Sequence, residues 1–353
     1  MASKGLEPKK SLIASGPIIV VTAVVAAAIV GWSLFWYIAS RKAEATLAAW
    51  MEREAQAGRS WICPDQRIAG YPLDIEVSCA NPLFQGEILG RKFTGSLRGF
   101  RASAPLLRTD ALIAELEPPF IAKTSDGAIN AVLQWGSLGL ELVGRPDVLS
   151  RASLIGEQIT MQGTVGDIES LAGGLSNLTA YIVLPPGRQD SAYDFRLALN
   201  DASFPALDSR FGLQPPVSVT FGGTVTQADF INPGKLEDRL ERWRVAGGKI
   251  DVKTLRLVSG TSTLEAHGGL DLDDEHRIRG NLNASITGLE PFLQQLGVDP
   301  GLIAAGSLVT NFLGKRAQGE TGGGAHLPLP VTIANGWMSI GPIRTQVHFE
   351  PLY

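Results

Sequence analysis

Cysteine, histidine and charge are all scarce in this chain, and each shortage removes a class of function. Of 353 residues, 2 are cysteine, 4 are histidine and 19% are charged, against ~25% in ordinary soluble proteins. A net charge of −4 provides none of the basic footprint that nucleic-acid binders present, so no nucleic-acid partner is expected. The phosphate-cradling patterns G-x-x-x-x-G-K-[ST] and G-x-G-x-x-G do not occur, nor do the hydrolase elbow G-x-S-x-G and the zinc motif H-E-x-x-H. Low-complexity blocks are missing too; the nearest approach, Gly319 to Gly324, reads as a loop between strands. Beyond residue 40 no apolar run is long enough to cross a bilayer.

One such run does precede residue 40. Pro17 to Ile38 is uncharged and closes on Trp36 and Tyr37, side chains that favour a membrane–water interface. As a helix it rises ~33 Å, enough for a hydrocarbon core of ~30 Å. A cleaved signal has a shorter core of ~7–15 residues, so this segment is read as a retained anchor. Lys4, Lys9 and Lys10 precede it and Arg41 and Lys42 follow, a slight bias that favours an inner-membrane anchor with a cytoplasmic N-terminus. The expected layout is a cytoplasmic tail at 1–16, a transmembrane helix at 17–38, a juxtamembrane helix at 39–58 stopping at Gly58, and a periplasmic region at 59–353. That last region is read as one domain or as two halves, 59–210 and 211–353.

Export would place Cys63 and Cys79 in an oxidising compartment, where a disulfide closing a loop of about 17 residues contributes ~3 kcal/mol. No histidine lies near either cysteine, so a metal site is not expected there. Past Gly58 the pattern becomes period two. Leu73, Ile75, Val77 and Cys79 alternate with polar residues. Leu264, Ala266, Gly268, Leu270 and Leu272 do the same, as do Ile278, Leu282, Ala284 and Ile286. Asp273 to His276 between the last two runs has the length of a hairpin turn. Further strands are expected at 159–169, 218–225, 247–258 and 329–340, with helices at 235–243 and 289–297. The fold class is therefore mainly β: a transmembrane helix followed by a large antiparallel sheet, curved into a trough or folded as a sandwich, with few short helices.

No constellation of side chains calls for catalysis, a cofactor or a metal, and the protein is read as a non-enzyme. Asp271, Asp273, Asp274, Glu275 and His276 are taken as a solvated turn. Arg91, Lys92, Arg98, Arg101 and Arg108 are the one basic concentration, read as the wet face of strands. Asn177-Leu178-Thr179 matches a glycosylation acceptor by a pattern short enough to arise by chance.

Several segments resemble an uncharacterised bacterial family, the one known as domain of unknown function 2125. They are Trp50 on its helix, the Gly70-Tyr71-Pro72 motif, and the stretches 193–207, 243–289 and 331–343. The family's usual phenylalanine after the glycine is here Tyr71, which keeps the aromatic. This resemblance implies a Gram-negative envelope protein and no catalytic residues. The glycine-spaced strands are also similar to AsmA-like envelope proteins, which implies an apolar β trough that handles lipid. Few helices are available to cover so many one-sided strands, so acyl chains are expected on the apolar faces, at Leu264, Leu270, Leu272, Ile278, Leu282 and Ile286. The partners expected are the bilayer through residues 17–38 and a lipid ligand. The alternative is a scaffold that recruits an envelope protein through exposed aromatics such as Trp135, Trp243 and Trp337.

Overall fold

The structure is a computed structural model; it describes residues 16–88, 91–108, 110–145, 148–166, 168–187, 191–228, 235–287 and 329–353. The tail at 1–15, the helix expected at 289–297 and the glycine-rich stretch 319–324 lie outside those residues.

Anchor and juxtamembrane segment form one uninterrupted helix, α1 (Gly16–Gln56). Its C-terminal half, rich in Ala, Leu, Glu and Arg, propagates the helix by intrinsic preference after the apolar half ends. Gly58 stops it in a left-handed conformation (φ 79°), and its N–H closes the last turn on the Ala55 carbonyl at 3.0 Å. Just beyond, Arg59 binds Glu54 at 2.6 Å in a half-buried pair, and this hydrogen bond holds the Glu54 carboxyl below its ordinary range.

Among the described residues the rest is one antiparallel sheet of 18 strands with two further helices, α2 (Pro205–Phe211) and α3 (Leu236–Val245). At one end β3 (Asp74–Ala80) and β4 (Leu83–Ile88) both pair with the long strand β5 (Arg91–Pro105), while β2 (Arg67–Ala69) pairs with β3 and β1 (Ser60–Ile62) with β4. β5 pairs with β6 (Ala111–Thr124), which is followed side by side by β7 (Ile129–Gln134) and β8 (Ser137–Arg145). Both then meet β9 (Val148–Val165). From there the sheet is a meander in chain order: β10 (Ile168–Val183), β11 (Tyr193–Ala202), β12 (Val217–Val225), β13 (Ile250–Ser259), β14 (Ser262–Leu272), β15 (Ile278–Thr287), β16 (Leu329–Ala334), β17 (Trp337–Ile340) and β18 (Ile343–His348). The ladder β11–β12 crosses the 210/211 boundary, so the two candidate halves are one sheet.

Three sequence expectations shift in detail. Leu73 does not share the face of Ile75; it precedes β3 in a turn and is 58% exposed. The stretch 329–340 is a hairpin, β16 and β17 around Asn335-Gly336, a pair that supplies the positive φ values such a turn requires (52° and 77°). The stretch 159–169 likewise ends one strand and opens the next.

α1 is joined to the sheet twice. Near the C-terminal end of α1, Trp50, Trp61, Phe84, Phe93 and Phe120 form an aromatic ladder with centroid spacings of 5.5, 4.7, 5.8 and 6.4 Å. Lower down, the indole N–H groups of Trp32 and Trp36 donate to the carbonyls of Pro72 and Asp74, both at 2.8 Å. Trp36 is thus a docking residue for the sheet. Cys63 and Cys79 form a disulfide that ties the segment after β1 to β3.

Candidate functional site

In an antiparallel ladder, residues directly opposite each other project from the same face, so register alone traces each face across the sheet. Leu140 faces Leu154, and the row continues through Ala180, Leu197, Phe221, Leu255, Ala266 and Ala284 to Leu329. A neighbouring row runs Leu142, Ala152, Ile182, Phe195, Gly223, Val252, Gly268, Leu282, Val331, Ile340, Ile343. Every member of both rows is apolar or glycine. With strands ~4.8 Å apart, the second row covers about 48 Å of sheet.

All six residues expected from the alternation lie on this face. Leu264 opposes Ile286, Leu272 opposes Ile278, and Leu270 and Leu282 stand opposite Gly280 and Gly268. Sequence reading missed that the same face continues through β8–β13 and β16–β18. The signal existed in the alternation of Tyr193, Phe195, Leu197 and Leu199. In β13 that signal is broken, because Ile250 and Val252 are out of phase with Leu255 and Leu257. A register shift between Val252 and Leu255 restores the phase, so all four point to the apolar side. A shallow depression of about 590 Å³ lies here, lined by Lys253, Arg256, Glu265, His267 and Asn283 together with Leu255, Ala266 and Ala284.

The opposite face is mainly polar, with Ile155, Ala198 and Val258 as apolar exceptions. Arg256 meets Glu265 across the strands at 3.5 Å, Arg279 meets Asp271 at 2.8 Å and Lys253 meets Asp194 at 3.2 Å. Exposed pairs of this kind contribute only ~0.2–1 kcal/mol each; they mark the wet side without holding the fold together.

The apolar face is neither sealed nor bare. Leu264, Leu270, Ile278, Leu282 and Ile286 are half-buried, as are Phe221 and Leu255, while Leu272 is buried. Among the described residues Val252 is the largest side chain buried to below 2%, and many of the other buried apolar residues are alanines. A tightly covered sandwich would bury its Leu and Phe side chains and gain ~1.5–3 kcal/mol for each. The one pocket found at Leu257, Leu264 and Ile286 holds about 20 Å³, the room of a water molecule or two. A ligand would therefore lie along the face, since that pocket cannot enclose it.

The three candidate tryptophans do not assemble a patch. Trp135 is buried and donates to the Leu116 carbonyl at 2.8 Å; Trp243 donates to Thr226 at 2.7 Å; Trp337 packs against His348 and under Arg344, 3.8 Å from its ring. The basic concentration is also dispersed. β5 carries Arg91, bound to Asp126, and Arg101, bound to Glu76, at well-separated points along a strand ~46 Å long.

The acidic turn is internally paired. Asp273 is buried, which opposes ionisation, yet N–H groups of Arg277 and Glu275 and the Arg277 guanidinium hold its carboxyl below the ordinary range. Among the described residues, no three of His, Cys, Asp and Glu converge as metal ligands. His276 instead stacks on Tyr353 with centroids 4.3 Å apart, and Tyr353 donates its hydroxyl to Glu241 on helix α3 (Leu236–Val245) at 2.9 Å. Hydrogen bonds from Arg244 and then from Tyr353 lower the Glu241 pKa from 4.5 to about 2, while burial and the bond to Glu241 raise Tyr353 to about 12. A depressed carboxylate contributes stability above its unfolded pKa and loses it as pH falls through the folded one. Residues 349–353 are therefore expected to detach between pH 4.5 and 2. Exchange of the Leu352 amide, bonded to the His276 carbonyl at 3.0 Å, reads this directly. Acid-insensitive protection there, or Glu241→Gln behaving like wild type, would refute the clamp.

The family model described as an uncharacterized protein conserved in bacteria (DUF2125) matches residues 36–347. No curated protein and no solved structure matches the chain.

Proposed function

The chain belongs to the DUF2125 family of uncharacterized bacterial proteins, and we propose that it is a non-enzymatic, inner-membrane-anchored periplasmic protein that binds lipid acyl chains along its apolar sheet face. The observation that carries this reading is the set of apolar rows, continuous across the meander and half-buried among the described residues. Acyl chains supply the non-directional apolar cover that such a face lacks, and their release needs no broken hydrogen bond. A single spanning helix that runs unbroken towards the sheet places the face beside a source of lipid. The disulfide supports an oxidising compartment, hence the periplasmic side.

The test is photocrosslinking of the full chain in vesicles containing phosphatidylethanolamine with a photoactivatable acyl chain. Crosslinks are expected at Leu197, Phe221 and Leu255 as well as on α1. Crosslinks confined to residues 16–38 would remove the lipid reading and transfer weight to recruitment of an envelope protein partner.

A further inference from the structure

We infer that the corner of the sheet formed by the turns 71–73 and 106–107 is seated in the outward-facing leaflet beside α1, so that the domain enters the bilayer with strand ends as well as with its helix. The inference rests on α1 being a membrane span and is independent of acyl-chain binding on the sheet face.

The first observation is the depth of the contacts. Trp32 and Trp36 donate to the backbone carbonyls of Pro72 and Asp74, and Ser33 Oγ pairs with the Tyr71 hydroxyl at 2.9 Å. The Tyr71 ring also stands edge-on to Trp36 with centroids 5.6 Å apart. All three helix residues belong to the apolar run. From Gly16 to Trp32 the helix rises ~24 Å, short of a ~30 Å hydrocarbon core, which is reached only at about Trp36. A membrane that stopped beneath the turn would leave Leu34, Phe35, Tyr37 and Ile38 of the apolar run outside it.

The second observation is what the far side of the helix presents at the same height. Leu34, Phe35, Tyr37 and Ile38 are 58, 50, 58 and 59% exposed. Lipid at this level covers them, and lipid at this level also meets the turns on the docked side.

The third is the corner itself. Register places Asp74 opposite Pro105, and the Leu106 N–H donates to the Leu73 carbonyl at 2.9 Å, so the two turns form one tip. Tyr71, Leu73 and Leu107 are 51, 58 and 79% exposed there. A lone exposed leucine is ordinary; three large apolar side chains on one tip beside a spanning helix form an insertion surface. The carbonyls of Pro72, Leu73 and Asp74 and the Tyr71 hydroxyl already have protein partners, which is what a water-poor environment demands. Exposed Arg108 follows Leu107 directly, at the level of the lipid phosphates.

The test is spin-label depth measurement on the full chain in vesicles of phosphatidylethanolamine and phosphatidylglycerol. Leu73→Cys and Leu107→Cys probe the tip, Val24→Cys the span, and Arg256→Cys the polar sheet face. Both native cysteines are in the disulfide, so each new thiol is the one labelled. Labels at 73 and 107 are expected to collide with oxygen more than with a water-soluble nickel chelate, as at 24, and the ratio is expected to reverse at 256. A chelate-accessible label at either tip position with a lipid-buried label at 24 overturns the seating and leaves the span intact. A chelate-accessible label at 24 overturns the span and the seating with it.

Discussion

Gly268→Val is expected to destabilise the sheet by about 3–5 kcal/mol, with a fall in Tm on the order of 10 °C. Gly268 has a φ of 149°, and a Cβ built there would lie 2.2 Å from the Asn281 carbonyl oxygen and 2.9 Å from the Leu282 Cα. Both are backbone atoms of the paired strand, so relief requires the strands to separate rather than a side chain to turn. The position lies opposite Leu282 and Val252 in the longest apolar row, next to the register shift that brings β13 into phase. Its neighbour supplies the control. A Cβ at Gly269 meets nothing within 4 Å, and Gly269→Ala is expected to change stability by less than about 1 kcal/mol. Thermal unfolding of the full chain followed by circular dichroism decides it. Equal melting of the two variants would mean that the strands do not approach as described.

Removing the disulfide has the next largest expected effect. Cys63 and Cys79, 16 residues apart in sequence, close a loop whose cross-link is worth ~3 kcal/mol, mainly through restriction of the unfolded chain. The paired substitution Cys63→Ser with Cys79→Ser should show this loss. A reductant should produce the same loss in the wild type and none in the double variant. The segment between the cysteines contains Gly70-Tyr71-Pro72, the motif docked on Trp32 and Trp36, so loosening the loop is also expected to increase proteolysis between β2 and β3. Free thiols in unreduced protein taken from its native compartment would contradict both the bond and the placement outside the cytosol.

Much of this architecture is written locally. Pro17–Ile38 declares a helix long and apolar enough to span a membrane, and the helix-forming stretch after it runs on until a glycine can turn left-handed. β14 and β15 declare their shared face because alternation has period two and Asp273–His276 is short enough to force the strands together. Trp36 shows the limit of such reading: an aromatic at the end of an apolar run suits an interface, and nothing near it in sequence announces a carbonyl 38 residues away. The five basic residues of 91–108 cluster in sequence because they lie on one strand and its adjoining turn, and an extended strand then carries them apart.

Sequence alone determined a helix long and apolar enough to cross a membrane, the strand character of most described residues beyond Gly58, the Cys63–Cys79 pair as candidates for a disulfide, and which residues of each strand are apolar. Tertiary structure decided that the described strands join in one sheet, that the phase slip in β13 is absorbed by a register shift, and that the apolar rows join into one half-open face. The physical reason is range. Helix propensity, alternation and short turns act over a few residues, and the chain carries them in plain view. Which strand lies beside which, and what is left to cover the resulting face, depends on contacts between residues tens of positions apart, whose energies belong to the assembled sheet and to no single segment of it.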